Sequence, residues 1–279
     1  MLVSLIIFFS APAAFPNTID LSTSPPATAG YSVTASDGSI WKVIDQAPTG
    51  TGIFDPFLRI QLGTDQNPLE GIEKGLNTDY QAQQVYQDLA GPYTHSLKFG
   101  DLATVSMNGK EYFDFTLDIN EPGSDARFLS LDVFQIYKGS IPDATDISQL
   151  GNPLYDLANS TPDGPPVLID YKLASSGQAH ADIEALIPLD QIGAYSSGDF
   201  FYLYTQFGGV GTVTEIIPDP KHTGRTITIT KEYQAQDGPE SWNVLINGNS
   251  TTVPEPATMF LLGSGLLGLA GYGRRKFRK

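Results

Sequence analysis

Residues 102–119, LATVSMNGKEYFDFTLDI, contain the pattern that decides the fold class. Asn108-Gly109 separates two strand-like runs, 102–107 and 110–119. Asn-Gly favours a two-residue β-hairpin turn, because both positions of that turn require positive φ. In the second run the apolar positions 113, 115, 117 and 119 alternate with positions 112, 114, 116 and 118. This alternation predicts a strand with one buried face and one polar face.

Short strand-like runs separated by turn residues continue on both sides of this hairpin. We expect strands at 31–35, 40–44, 57–62, 129–137, 167–173, 181–187, 200–207, 211–217, 226–233 and 242–246. Only 80–89 and 146–150 have a helical pattern. Many short strands with few helices predict a mainly β protein, with a single antiparallel β-sandwich or jelly-roll domain at residues 31–247.

The composition supports the β prediction and argues against some functions. The chain has 279 residues, with 13 Tyr, 15 Phe, 28 Gly and 20 Pro, which favours short strands and tight turns. Its formal charge of -15, from 31 acidic and 16 basic residues, repels nucleic acid, so we expect no nucleic-acid partner. Cysteine is absent, so the chain has no disulfide, thiol nucleophile or zinc–thiolate site.

The first residues are typical of an export signal. An apolar run at 2–9 is followed by Ser-Ala-Pro-Ala-Ala at 10–14, which resembles a signal-peptidase cleavage sequence. The run is too short to span a bilayer comfortably. We therefore expect a signal peptide at residues 1–14 and a turn-rich linker at 15–30. The signal pattern is incomplete, because no basic residue precedes the run. An apolar first strand is the alternative, since cleavage-like sequences of small residues also occur by chance.

The carboxyl-terminal residues contain three signals in a fixed order. After a linker at 248–253, Pro254-Glu255-Pro256 precedes an uncharged, Gly-rich apolar stretch at 257–273. As a helix this stretch would rise about 1.5 Å per residue, which is just enough to cross a bilayer. We therefore expect a transmembrane helix at 257–273 and a cytoplasmic basic tail at 274–279, because positive charge stays inside. The tail has five basic residues: Arg274, Arg275, Lys276, Arg278 and Lys279.

The triplet, the Gly-rich span and the basic end together resemble the PEP-CTERM sorting signal of Gram-negative bacteria, over residues 254–279. The resemblance implies that an exosortase, an integral-membrane enzyme, recognises Pro254, Glu255 and Pro256 and removes the span. It also implies export, transient anchoring in the inner membrane, and then a place at the outer surface or in the extracellular matrix. Such bacteria make exopolysaccharide and biofilm, so exopolysaccharide is a candidate partner. A permanent, unprocessed anchor is the alternative.

Three shorter motifs are similar to segments of PEP-CTERM proteins that have no assigned activity. They are D-I-N-E-P at 118–122, L-S-L-D-x-x-Q-I-Y at 129–137 and F-Y-L-Y-x-x-F-G at 201–208. This resemblance implies an extracellular β domain and indicates no ligand.

The loop sequence DINEPGSD concentrates oxygen-bearing side chains after the second strand of the hairpin. Calcium takes six to eight oxygen ligands, so Asp118, Asn120, Glu121 and Asp125 are the candidate ligands of a calcium site, and calcium is the candidate cofactor. The spacing does not fit an EF-hand loop, so the site would belong to a strand-to-strand loop. The alternative is an ordinary turn at Pro122-Gly123 with solvated carboxylates.

We find no catalytic motif, and we expect a non-catalytic protein that is structural, adhesive or associated with polysaccharide. Two alternatives stay open: a secreted, glycosidase-like enzyme acting on polysaccharide, since carboxylates are abundant, and a calcium-dependent carbohydrate-binding module. The histidines are far apart in sequence and are interpreted as surface or structural residues: His95, His180 and His222. Several tyrosines would stack on sugars if exposed, but alternating tyrosines usually fill a core edge: Tyr93, Tyr112, Tyr137, Tyr202 and Tyr204.

Overall fold

The computed structural model describes residues 18–22, 30–46, 55–61, 71–80, 86, 92–120, 127–159, 166–171, 181–219, 221–235 and 238–247. Contacts divide the chain into two compact units, residues 1–245 and 246–279. The description below concerns the first unit. The predicted signal peptide at 1–14, linker at 248–253 and sorting segment at 254–279 lie outside the described residues.

The described residues form strands joined by turns and short 3₁₀ helices, which confirms the mainly β class. The strands are β1 (Ile19–Leu21), β2 (Ser32–Thr34), β3 (Ile40–Gln46), β4 (Leu58–Ile60), β5 (Glu73–Leu76), β6 (Leu97–Lys98), β7 (Thr104–Met107), β8 (Lys110–Ile119), β9 (Phe128–Gly139), β10 (Tyr155–Asp156), β11 (Val167–Asp170), β12 (Ala181–Pro188), β13 (Phe200–Phe207), β14 (Gly211–Pro218), β15 (Thr226–Tyr233) and β16 (Glu240–Val244). The 3₁₀ helices are Phe99–Asp101, Ile147–Gln149, Leu157–Asn159 and Leu189–Gln191.

These strands form two seven-stranded sheets and a separate two-stranded sheet. In the first sheet the order is β1-β11-β9-β13-β5, with β10 beside β9 and β6 beside β13. In the second sheet it is β2-β3-β12-β8-β16-β4, with β7 beside β8. Strands β14 and β15 pair only with each other among the described residues. The single antiparallel sandwich is therefore too simple a description, because β14 and β15 leave both large sheets and β1 pairs with β11 in parallel.

The hairpin predicted from residues 102–119 is present in the second sheet. Met107 pairs with Lys110 across the turn, where φ is 52° at Asn108 and 78° at Gly109. Two positive φ values are what a type I′ turn requires, and Asn-Gly supplies them at low cost. In β8 the predicted face of Phe113, Phe115, Leu117 and Ile119 is buried.

An aromatic layer lies between the two large sheets. The ring centroid of Phe134 in β9 lies close to the ring centroids of three residues of the second sheet. The distances are 5.5 Å to Trp41 of β3, 5.5 Å to Phe115 of β8 and 5.3 Å to Trp242 of β16. A further stacked pair, Phe115 with the β13 residue Phe201, joins the sheets at 5.9 Å. These residues are all 0% exposed. Edge-to-face and stacked rings add to the stabilisation from burial, so this layer is the core that holds the sheets together.

Several elements differ from the predictions. Within the expected linker at 15–30, Ile19–Leu21 is a buried strand, because Ile19 and Leu21 enter the core when β1 pairs with β11. The expected helix at 80–89 falls mostly outside the described residues, and the described Tyr80 and Tyr86 are not helical. The expected helix at 146–150 is one 3₁₀ turn, capped by Asp146, whose side chain accepts from the Ser148 N–H at 2.8 Å.

Candidate functional site

Two of the four candidate calcium ligands are placed by the end of β8. Asp118 pairs with Ser241 of β16 and is 4% exposed. The Asn120 N–H donates to the Pro239 carbonyl at 3.1 Å, so β8 stays alongside the segment that leads into β16. Glu121 and Asp125 lie outside the described residues. The structure therefore brings Asp118 and Asn120 to one strand end and leaves the full ligand set a prediction.

Other buried carboxylates lie at or next to the ends of β5, β12 and β16, and the sequence did not indicate them. Asp182 sits at a register shift between β12 and β3, and it accepts a hydrogen bond from the Ile119 N–H of β8 at 2.7 Å. Glu240 of β16 pairs with Ile119 and is 0% exposed. Glu73 opens β5 in the other sheet and is also 0% exposed. Asp182 and Glu240 come from strands distant in sequence, and the order of strands in the second sheet places both beside Ile119, the chain neighbour of Asp118.

These carboxylates do not form a metal centre among the described residues. No group of three or more His, Cys, Asp or Glu side chains in the described ranges is arranged to hold a metal ion. A calcium site needs six to eight oxygens, which the described part of the loop does not supply. The calcium hypothesis consequently stays a prediction that depends on Glu121 and Asp125.

Asp114 is a half-buried carboxyl on the outward face of the second sheet. Asp114 pairs with Leu186 of the neighbouring strand β12. The charges of Lys42 and Glu184, which form an ion pair at 3.1 Å, act on it. Burial raises the pKa of Asp114 to about 7; the charge of Glu184 adds to the rise, and Lys42 opposes it. Its Oδ1 atom is buried with no hydrogen-bond partner among the described residues. Asp114 can therefore exchange a proton near neutral pH.

Asp132 is a second carboxyl with a raised pKa, and it belongs to the first sheet. Burial raises the pKa of Asp132 to about 6, while hydrogen bonds from the Gly209 N–H and the Ser130 side chain oppose the rise. Asp114 and Asp132 lie in β8 and β9, on different sheets. Raised pKa values can mark catalytic acids, but here the two groups do not belong to one carboxylate pair.

A cluster of tyrosines lies on the outward face of the first sheet and is packed internally. Tyr86, Tyr137, Tyr202 and Tyr204 are each 8% exposed or less and surround Leu76. The Tyr86 hydroxyl donates a hydrogen bond to the Asp146 carboxylate at 2.8 Å. This hydroxyl is therefore already engaged within the protein and is not free to bind a sugar. Burial raises the pKa of Tyr204 to about 12. The interpretation of Tyr137, Tyr202 and Tyr204 as a core edge is confirmed.

The two remaining tyrosines proposed for sugar stacking differ from each other. Tyr112 is 5% exposed, so it is also a core residue. Tyr93 is 43% exposed, and the Arg59 guanidinium lies 4.0 Å from its ring centroid. One face of the Tyr93 ring is thus already covered by a cation. Of the five tyrosines, Tyr93 alone has an exposed ring.

The histidines agree with a surface or structural role where they are described. The His95 N–H donates to the Phe57 carbonyl at 3.0 Å, which is a backbone contact. His222 pairs with Asp219 at 2.7 Å, and its side chain is 58% exposed. His180 lies outside the described residues.

Among the described residues, strands β14 and β15 form a largely exposed pair, residues 211–233, which we call the ribbon. Its base contacts the first sheet: Tyr233 and Phe128 have ring centroids 5.3 Å apart, and the hydroxyls of Tyr233 and Ser22 share a hydrogen bond of 2.7 Å. Its outward face carries five exposed threonines: Thr212, Thr214, Thr226, Thr228 and Thr230. Both strands were predicted, at 211–217 and 226–233, but their separation from the two large sheets was not.

The predicted sorting residues lie outside the described residues: Pro254, Glu255, Pro256, Arg274, Arg275, Lys276, Arg278 and Lys279. Within the described ranges, no helix has the length and hydropathy needed to cross a membrane.

Comparison with known proteins identifies the carboxyl-terminal segment. Residues 252–276 match the PEP-CTERM protein-sorting motif, which confirms the resemblance seen in the sequence. No curated protein and no solved structure matches the chain. The motif implies export, sorting at the membrane and an exosortase as the processing partner.

Proposed function

We propose that this chain, as the carrier of a PEP-CTERM sorting motif, is a non-catalytic structural or adhesive protein of the cell surface or extracellular matrix. The match at residues 252–276 carries the proposal, because it directs the chain to export and exosortase processing. The proposed mature protein lacks the span and the basic tail, and it is released into the matrix or attached at the outer surface. Its proposed association is with exopolysaccharide.

The mature protein is strongly acidic under this proposal. Removal of the segment after Pro256 takes away all five basic residues of the tail and none of the acidic residues, which raises the excess of acidic over basic groups. High net charge of one sign keeps a protein soluble and repels other anions. Association with a neutral polysaccharide, or with an acidic one through a bridging cation, fits this charge better than direct binding to a polyanion.

Features of the described residues support a scaffold more than a catalyst. The carboxyls with raised pKa values, Asp114 and Asp132, lie on different sheets, whereas glycosidases place two carboxyls across one cleft. The tyrosine cluster is packed within the protein. A polysaccharide-acting enzyme remains the competing proposal and is separated from ours by experiment.

Sorting is tested by replacing Pro254, Glu255 and Pro256 with alanine in the full chain. The variant should stay in the inner-membrane fraction, and the wild-type protein should reach the surface or the medium. The matched control replaces Asn249, Ser250 and Thr251, the triplet just upstream of the matched segment, and should be sorted like the wild type. Equal surface amounts of all three proteins would contradict the sorting proposal.

The structural or adhesive role is tested with wild-type protein recovered from the surface. It should cosediment with purified exopolysaccharide of the producing cells and release no reducing ends during long incubation. Release of reducing ends in proportion to protein concentration would favour the glycosidase-like alternative. Absence of both binding and release would contradict association with exopolysaccharide and leave the sorting result intact.

A further inference from the structure

The ribbon has a strand edge of a kind that proteins usually protect. Strand β14 runs over eight residues, and its register with β15 has no bulge from Gly211–Tyr233 to Pro218–Thr226. Its one charged residue, Glu215, pairs with Lys231 of β15 at 3.2 Å. Natural edge strands are commonly short, bulged, or carry free charges. Among the described residues no third strand covers either edge of the ribbon.

The backbone at the tip shows which groups point to this edge. The Asp219 N–H donates to the Arg225 carbonyl at 2.9 Å, so these two residues form a hydrogen-bonded pair. With a period of two, the backbone groups of alternate residues of β14 then point away from β15. These residues are Thr212, Thr214 and Ile216, followed by Pro218, which has no N–H to lose. The free edge of β14 therefore offers regularly spaced donors and acceptors.

The ribbon also exposes apolar side chains. Ile216 is 53% exposed and Ile227 is 37% exposed, and they are two of the five large hydrophobic residues that are exposed in the described part of the chain. Ile216 lies on the threonine face, opposite Thr228. Threonine and isoleucine are strong strand formers, so this surface favours extension of the sheet.

The charge of the ribbon differs from that of the rest of the chain. Residues 211–233 contain three acidic residues, Glu215, Asp219 and Glu232, and three basic ones, Lys221, Arg225 and Lys231, whereas the whole chain carries -15. Two copies of this protein would repel each other over most of their surface, and the neutral ribbon is where that repulsion is smallest.

We propose that β14 pairs antiparallel with β14 of a second copy of this chain, which joins the two ribbons into one four-stranded sheet. A two-fold axis at Thr214 places Ile216 of one copy opposite Thr212 of the other and keeps the two Glu215 side chains out of direct opposition. Pairing of identical strands about a two-fold axis makes the interface self-complementary. It satisfies the free backbone groups of both edges.

Disulfide trapping tests the proposed pairing in the full chain, which has no cysteine of its own. Under mild oxidation Thr214→Cys should form a covalent dimer, because residues paired across the axis have Cα atoms within disulfide range. Thr230→Cys is the matched control: it is exposed on the same face and pairs with Thr214 in the same ribbon. In the proposed dimer its two copies lie about three strand spacings apart, roughly 14 Å, which is too far for a bond. Equal yields from the two variants would overturn the proposal.

Edge blocking gives a second readout by sedimentation. Thr214→Pro removes an N–H that points away from β15. The ribbon of this variant should therefore still form, but the variant should not dimerise as the wild type does. Thr228→Pro makes the same change on the other edge and should leave the dimer intact. The wild type and both variants carry the same carboxyl-terminal segment. Any association through that segment is therefore the same in all three proteins and does not affect the differences between them. A wild type that is monomeric at every concentration, or a Thr214→Pro variant as dimeric as the wild type, would overturn the proposal. If both proline variants dissociate, the disulfide yields decide.

Discussion

Asp114 makes the stability of the protein depend on pH at the scale of a single residue. Its pKa is about 7 in the folded chain, against an ordinary value of 3.8, so the folded state binds this proton more tightly than the unfolded state. The stability that comes from the neutral carboxyl is therefore fully present below about pH 4 and is lost as the pH rises through about 7. The cause is chiefly burial, which disfavours the charged form.

Asp114→Asn should abolish this dependence, because the amide stays neutral. We expect the free energy of unfolding of the variant, relative to wild type, to rise by about 2 to 4 kcal/mol between about pH 4 and about pH 8. Urea unfolding at the two pH values measures it. Asp190→Asn is the control: that side chain is 55% exposed beside Lys110, so its change should stay within about 0.5 kcal/mol at both pH values. A parallel response of the two variants would contradict the assignment.

Gly208 ends the F-Y-L-Y-x-x-F-G motif, and the structure explains why glycine stands there. Its φ is 85°, and an added Cβ would lie 1.8 Å from the Gly71 carbonyl oxygen and 2.7 Å from the Ala235 nitrogen. Both obstacles are backbone atoms, which cannot move aside as a flexible side chain can. Gly109 has a similar φ of 78°, but nothing lies within 4 Å of its added Cβ. A comparison of substitutions at Gly208 and Gly109 therefore distinguishes the cost of a steric clash from the cost of a positive φ alone.

Gly208→Ala should destabilise the protein by more than about 3 kcal/mol, since it combines a positive φ with a backbone clash. Gly109→Ala should cost only about 1 kcal/mol, the strain of a positive φ alone. Denaturant unfolding of both variants measures the difference. Equal losses would mean that the close approach of residues 71, 208 and 235 does not exist.

At the scale of elements, local chemistry predicted some strands and could not predict others. The β7–β8 hairpin was predictable because Asn-Gly and the alternation in β8 are local signals. Strand β5 was not, since Glu-Lys-Gly-Leu has no strand-forming run. Gly75 is required there by a distant neighbour: an added Cβ would lie 2.5 Å from Ile60 Cγ1. Likewise, Asp182 and Glu240 come beside Ile119 only because β12 and β16 flank β8 in the sheet, an order that a sequence does not reveal.

The loop after β8 carries a prediction at the same scale. If Asp118, Asn120, Glu121 and Asp125 share a calcium ion, the protein should melt at a higher temperature in calcium than in chelator. Calcium at about 100 times its Kd would stabilise the native state by roughly 2.7 kcal/mol. For a body of this size about 1 kcal/mol shifts the Tm by about 2 to 4 °C, so the expected rise is several degrees.

Site specificity distinguishes calcium binding from screening of an acidic surface. Asp118→Asn or Asp125→Asn should remove most of the rise in Tm, whereas Asp143→Asn, an exposed carboxylate after β9, should retain it. Magnesium should not replace calcium, because it prefers a smaller octahedral site. The same rise in wild type and in Asp118→Asn would identify the loop as an ordinary solvated turn.

At the scale of the whole molecule, basic charge is concentrated at the carboxyl end of an acidic chain. Five basic residues occupy the last six positions, and the chain as a whole is acidic. Positive charge beside an apolar span stays on the cytoplasmic side, so we expect replacement of Arg274, Arg275, Lys276, Arg278 and Lys279 by Gln to reduce correct orientation and sorting. Protease shaving of intact cells measures the surface amount, and an amount equal to wild type would contradict this expectation.

The central claim is that the chain is exported and then processed by an exosortase at its PEP-CTERM segment. The intact mass of the protein recovered from the surface or the medium tests it most directly, in cells with and without the exosortase. We predict a mature form that ends at or near Pro256 in cells that have the enzyme and a form that retains Lys279 in cells that lack it. Surface protein that retains Lys279 in cells with active exosortase would contradict the account.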